Sequence, residues 1–291
     1  MIKTLARRAL SIIGTALLAA FLAACLARMA PGFESDGAQL DPRLSQESVE
    51  ALRAERARNR NIVRFYTDYL ARAVRGDLGR SQLFHRPAAE LIAERITVTG
   101  RLVALGLLAG WMLGLGLATS VLLFRRTSFE IGAGIFSGIF LCLPVAVLAL
   151  AFVLFSAPAW LAVTLVVFPK IFAYSRNLLL QAQHMPHVLA ARARGLRSSR
   201  LFAFHVLPVT LGQTCALAGV SVSMAIGATI PIESLLDIPG LGQLAWEAAL
   251  GRDLTLLVGI TLLVSLATLL ANAASDLFRD ALPASLARRG L

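Results

Sequence analysis

The sequence is short of charge. Only 15% of its 291 residues are Asp, Glu, Lys or Arg, where a soluble domain carries about 25%. With 57% of the residues hydrophobic, so little polar surface cannot cover one soluble core, and a bilayer is the natural solvent. Cysteine is scarce as well. Cys25, Cys142 and Cys215 each stand alone in an apolar run. That excludes a disulfide framework or a cysteine zinc site and leaves them as small core residues. His184 and His187 flank Met185-Pro186, but no carboxylate or thiol completes a metal set around them. A phosphate-cradling glycine loop with its lysine is missing, so nucleotide hydrolysis is not this chain's own work. The apolar runs also lack paired acids, a serine with a base, and any acid at mid-depth. This counts against an intramembrane enzyme and against an ion-coupled secondary transporter.

What the chain has instead is long apolar runs. About 20 apolar residues cross a hydrocarbon core as a helix. Six segments qualify: Ala9–Ala27, Leu102–Phe124, Ile131–Phe155, Ala157–Tyr174, Val209–Ile232 and Leu254–Leu277. The expected fold class is all-α, a polytopic membrane protein with six transmembrane helices. Little more than Ser156 and Pro158 separates the third and fourth runs, which predicts a tight helical hairpin.

The net charge is +11, and its placement decides what it means. With the N-terminus inside, the inner segments hold Lys3, Arg7, Arg8, Arg125, Arg126, Arg176, Arg192, Arg194, Arg197, Arg200, Arg279, Arg288 and Arg289. Only Glu130, Asp276 and Asp280 oppose them. The short outer loops hold Glu233, Asp237, Glu247 and Asp253 against Arg252. This is positive-inside asymmetry, and it predicts both termini in the cytoplasm. The basic balance is therefore a topology signal and no argument for nucleic acid.

Three regions follow: an N-terminal transmembrane helix at 1–29, an outer segment at 30–97, and a five-helix core at 98–291. In the outer segment Asp41-Pro42 has the chemistry of a helix start. A second helix follows Asn59-Arg60-Asn61, with Ile62, Phe65, Tyr66, Tyr69, Leu70 and Ala73 at helical spacing. It lies on the membrane, on a partner, or against its own chain. Leu22-Ala23-Ala24-Cys25 matches a lipoprotein cleavage site. An alanine-rich span produces such tetrapeptides by chance, and removing the span would leave an odd number of crossings.

The segment between the fourth and fifth runs, about 185–208, carries the most information. Ala190-Ala191-Arg192-Ala193-Arg194-Gly195-Leu196 is followed by His205-Val206-Leu207-Pro208. It suits two short helices about a turn at Gly195, whose missing Cβ supplies backbone freedom. The alanines leave a flat face, and the arginines reach carboxylates or anionic lipid heads. A plain basic topology anchor has the same composition.

The spacing resembles the coupling loop of binding-protein-dependent ABC importer permeases: Glu-Ala-Ala, three residues, Gly, nine residues, then Ile-x-Leu-Pro. Ala190, Ala191, Gly195, Leu207 and Pro208 fall in register, while Leu189 stands for the Glu and His205 for the Ile. Other motifs resemble the oligopeptide/dipeptide/nickel branch. They are Gly76-Asp77-Leu78-Gly79, Glu233, Pro239-Gly240-Leu241-Gly242, Arg252-Asp253, and Asn272 with Asp276. Two departures are a missing long loop between the third and fourth runs and Leu254-Thr255 for an aromatic-Pro pair.

The resemblance implies a permease subunit in the bacterial inner membrane. Its implied partners are a second homologous permease, two ATPase subunits carrying ATP-Mg, an external substrate-binding protein and membrane lipid. The branch spans peptides, nickel and other small solutes. Its coupling loop sits in a cleft of the ATPase.

Polar groups inside a membrane need a reason. Lys170 either snorkels to the inner face or lines a pathway. Asp276 lies near the inner end of its helix, placed for a salt bridge with a coupling-region arginine. Cys215, Gly219, Ser223 and Gly227 fall on one stripe of the fifth run, and Gly106, Gly110, Gly114 and Ala118 on one of the second. Such stripes bring helix backbones close, within the chain or against a second permease. In the latter case Gln213, Thr214, Ser221 and Thr229 face the shared pathway.

Overall fold

The structure is a computed structural model that describes residues 2–29, 62–124 and 126–281. The helix start expected at Asp41 lies outside the described residues. The elements are α1 (Ile2–Met29), α2 (Ile62–Ala73), α3 (Ala88–Phe124), α4 (Thr127–Cys142), α5 (Val145–Leu154) and α6 (Ala159–Gln183). They are followed by α7 (Pro186–Ala193), α8 (Ser198–Leu201), a π-helical turn (Phe202–Val206), α9 (Leu207–Leu235), α10 (Leu241–Leu250) and α11 (Leu254–Ala281). Among the described residues five stretches are long and apolar enough to cross a membrane, and a sixth is if a bent pair counts as one span.

That bent pair corrects the third expected run. Ile131–Phe155 is not one helix but α4 and α5, set at 96°. The cause is local. A proline disfavours helical geometry in the residue before it. Leu143 is accordingly extended, and the chain restarts as helix after Pro144. Cys142, expected in the core, is exposed at this bend. Other boundaries moved outward: α3 begins at Ala88 rather than near Leu102, and α6 runs to Gln183 rather than Tyr174. The turn into α6 passes through Ser156, at φ 49°.

The compact units do not follow the contiguous division at residue 98. One comprises Met1–Ile96 with Leu244–Leu266, the other Thr97–Gln243 with Ala267–Leu291. In the first, α2 buries Phe65, Tyr66 and Tyr69 against Ala20, Ala24, Leu254 and Val258. The Tyr66 hydroxyl donates to the Leu17 carbonyl at 2.6 Å. The α2 face is therefore covered by its own chain. In the second unit, Gly106 and Gly114 let α3 lie on α6. A Cβ at Gly106 would meet Val163 at 2.5 Å, and one at Gly114 would meet Ile171 at 2.9 Å. This stripe packs within the chain. Thr164 Oγ1 donates across the contact to the Gly106 carbonyl at 3.2 Å. Pro169 sits inside α6. The Ser137 hydroxyl from α4 donates to its carbonyl at 3.3 Å, tying α4 to α6.

Candidate functional site

Residues 185–208 form a helical hairpin on one end of the second unit. Met185 is extended and Pro186 opens α7, where its missing N–H costs nothing. The helix closes with Arg194 N–H on the Ala190 carbonyl and Gly195 N–H on the Arg192 carbonyl. Gly195 then adopts φ +78° with open space around it, a conformation costly for any residue with a Cβ. The chain returns through α8 and the π turn. Leu207 N–H reaches back five residues to the Phe202 carbonyl, and Pro208 sits in the first turn of α9.

The two alanines do not share a face. Ala191 is buried in one cluster with Val188, Leu201 and Val206, on a floor that includes Phe172, Leu179 and Ala182. Leu196 packs on the same cluster. The outward face carries Leu189, Ala190, Ala193, Arg194 and Gly195, together with Phe204 at 73% exposure. The flat alanine face expected from the sequence is thus divided between two sides of α7. Neighbouring residues on a helix point about 100° apart, and the second short helix takes the Ala191 side. Arg192 and His205 are half-buried, as are Leu207 and Pro208.

Two of the branch motifs close on buried acids, Glu233 and Asp253. Glu233, expected in an outer loop, lies in the last turn of α9 with none of its surface exposed. It accepts from Thr99 Oγ1 at 2.7 Å and from Gly242 N–H at 2.6 Å. Thr99 Oγ1 in turn accepts Leu241 N–H at 2.7 Å. Two orphan donors of the α10 N-terminus are thereby satisfied. The glycines follow from this geometry. A Cβ on Gly240 would fall into the Glu233 carboxylate, and one on Gly242 would lie 2.8 Å from the Ile230 backbone. Pro239 is exposed beside them. Asp253, also fully buried, caps α11. Its Oδ1 accepts Leu256 N–H at 3.1 Å, and its Oδ2 accepts from Ser81 Oγ and Leu83 N–H. Arg252 before it takes φ 55°.

Gly76-Asp77-Leu78-Gly79 is a turn built on the same logic. Both glycines have positive φ, and Asp77 Oδ1 accepts Gly79 N–H at 2.8 Å. A Cβ at Gly79 would touch Thr255 at 2.8 Å.

The candidate pathway residues on α9 divide. Gly219 packs internally, since a Cβ there would lie 2.7 Å from Asn272 Oδ1. Asn272 Nδ2 donates to Ser223 Oγ at 3.1 Å. Ser221 is buried and accepts from Trp111 Nε1 at 3.0 Å. Thr229 is buried too, its hydroxyl on the Ile226 carbonyl. Gln213 and Gly227 are exposed, and Thr214 is half-buried. The stripe therefore splits: Gly219 faces inward and Gly227 faces open space. Among the described residues Asp276 pairs with Arg279 on its own helix at 3.4 Å, not with a hairpin arginine. One turn of helix is a shorter reach than a second element. Arg176 is bound to Glu130, tying α6 to α4. Lys170 is exposed. Thr99 and Trp111 carried no local signal, because each meets a partner over a hundred residues away.

An all-helical chain with these spans and this hairpin is, as a class, a polytopic importer permease. Residues 106–288 match the family described as "Binding-protein-dependent transport system inner membrane component". The chain belongs to that family. It is a multi-pass inner-membrane protein and the permease component of an ABC importer. It is 29% identical over 311 residues to a putative peptide permease protein of Brucella ovis, covering 95% of this chain and 96% of that one. It is 26% identical to the oligopeptide transport system permease protein OppB of Escherichia coli (strain K12), covering 91% and 92%. Among solved structures, the MetNI methionine ABC transporter in an inward-facing conformation shares the fold. The TM-score is 0.59 at 19% identity, over 66% of this chain and 96% of that one.

Proposed function

We propose that the chain forms half of a translocation pathway for peptides or a similar small solute, the other half being a second homologous permease. An external binding protein delivers the solute, and two ATPase subunits supply the work by hydrolysing ATP-Mg. Both termini lie in the cytoplasm, as the basic residues favour. The peptide assignment draws support from relatives named as peptide permeases that align over nearly the whole chain.

The hairpin at 185–208 is the ATPase-coupling element in this reading. The observation that carries it is the division of the hairpin's faces. Val188, Ala191, Leu201 and Val206 anchor it to its own bundle, while Leu189, Ala190, Ala193 and Phe204 stay exposed beside Arg194. An apolar face with a basic rim suits a protein groove better than water. Ala190→Trp and Phe204→Asp should each reduce ATPase co-purifying with membranes of the full complex. Wild-type recovery of ATPase with both variants would overturn the coupling role.

A further inference from the structure

The hairpin holds one polar contact that its apolar packing does not explain. His187 on α7 places Nε2 at 3.3 Å from the carbonyl oxygen of His205, in the π turn ahead of α9. A carbonyl only accepts, so the imidazole carries its proton on Nε2. Its Nδ1 is buried and has no partner among the described residues, so no rival bond selects the other tautomer. We propose that His187 is a positioning residue of the coupling hairpin, whose Nε2–H bond to His205 fixes α7 against the root of α9. The proposal rests on the reading of residues 185–208 as the coupling element.

The backbone explains why a clamp belongs at this point. Leu207 N–H bonds five residues back, and Pro208 has no N–H to give. The segment from Ser198 to α9 changes from α to π ladder and back here, then loses a donor. Helices bend most readily at such places. At the hairpin's other end, Gly195 turns in open space. The apolar contact among Val188, Ala191, Leu201 and Val206 holds the two arms together but is non-directional. The hydrogen bond adds the direction and sets the rotation of α7 about its axis. It is half-buried and flanked by Val188 and Val206, both essentially inaccessible. A push on α7 then reaches the first turn of α9 instead of dissipating in a soft turn.

The test uses the full complex in vesicles, with His187→Ala, His187→Asn, His187→Gln and Ala190→Trp. Two quantities are read. One is the stimulation of ATPase by the cognate binding protein. The other is the rate of amide hydrogen exchange over residues 186–206. A glutamine amide nitrogen reaches the place of Nε2, and an asparagine amide stops near Nδ1. His187→Ala and His187→Asn should lower stimulation about five-fold, the effect of one net hydrogen bond, and speed exchange. His187→Gln should restore both to within about two-fold of wild type. Equal behaviour of Asn and Gln would overturn the proposal, since packing alone would then explain His187. If the Ala variant fails to assemble, the Asn and Gln pair decides. Loss of stimulation in Ala190→Trp with wild-type behaviour in all three His187 variants would overturn the clamp and leave the coupling reading standing. Normal stimulation in Ala190→Trp would overturn the coupling reading and the clamp with it.

Discussion

Thr99 and Glu233 stand 134 positions apart in the chain and are joined by a 2.7 Å hydrogen bond from which the N-terminus of α10 hangs. The hydroxyl donates to the carboxylate and accepts Leu241 N–H, and the carboxylate accepts Gly242 N–H. The network is buried and fully internal. Glu233→Ala therefore leaves two donors without an acceptor and should cost about 3 kcal/mol. Thr99→Val should cost about 1–2 kcal/mol, and the double variant less than the sum, because the residues share one network. Chemical denaturation in detergent micelles measures all three, and strict additivity would show that the two groups act independently.

The glycine contacts of α3 are graded by position. Gly114→Ala should destabilise by about 1–3 kcal/mol, because its Cβ meets Ile171 and the Phe168 carbonyl within about 3 Å. Gly116→Ala meets nothing within 4 Å and should stay within about 0.5 kcal/mol of wild type. Unfolding midpoints in the same detergent provide the comparison, and equal effects would contradict the assigned α3–α6 packing.

Neighbouring alanines in the hairpin should fail in different ways. Ala191→Trp overfills the cluster of Val188, Leu201 and Val206 and should destabilise by about 1–3 kcal/mol. Ala190→Trp points outward and should leave folding intact while lowering ATPase recovery. Thermal melts beside co-purification separate the two effects.

Tyr69 offers a test in pH. Burial pushes its hydroxyl up to about 12, with Arg72 partly offsetting the shift. The folded value exceeds the unfolded one near 10. The tyrosine's contribution to stability is therefore complete below pH 10 and lost as pH rises from 10 towards 12. Among the described residues this hydroxyl has no hydrogen-bond partner, so Tyr69→Phe should be neutral or stabilising at pH 7 and should flatten the alkaline loss. Stability measured from pH 8 to 11 tests both statements.

Orientation is open to a direct assay. Reporter fusions at Gly76 and Gly195 should report opposite sides of the membrane, with Gly195 inside. The same side for both would overturn the proposed topology.

The sequence by itself determined the solvent, the helical class, the approximate spans and the family. Each rests on a signal carried by neighbouring residues: a run of apolar side chains, a basic flank, or glycines at fixed spacing. It also marked the glycine at 195, because backbone preference is local. The tertiary structure decided what those residues touch. A charged Glu233 at a helix end reads as an outer-loop acid, and only the approach of Thr99 and Gly242 makes it a buried clasp. Gly219 and Gly227 are alike as letters, yet only Gly219 lies where Asn272 comes close. Ala190 and Ala191, read alike in the sequence, take different roles because the arm returning through Leu201 and Val206 lies on one side of α7. Contacts between residues distant in the chain depend on how the helices are placed, and a linear pattern does not hold that information.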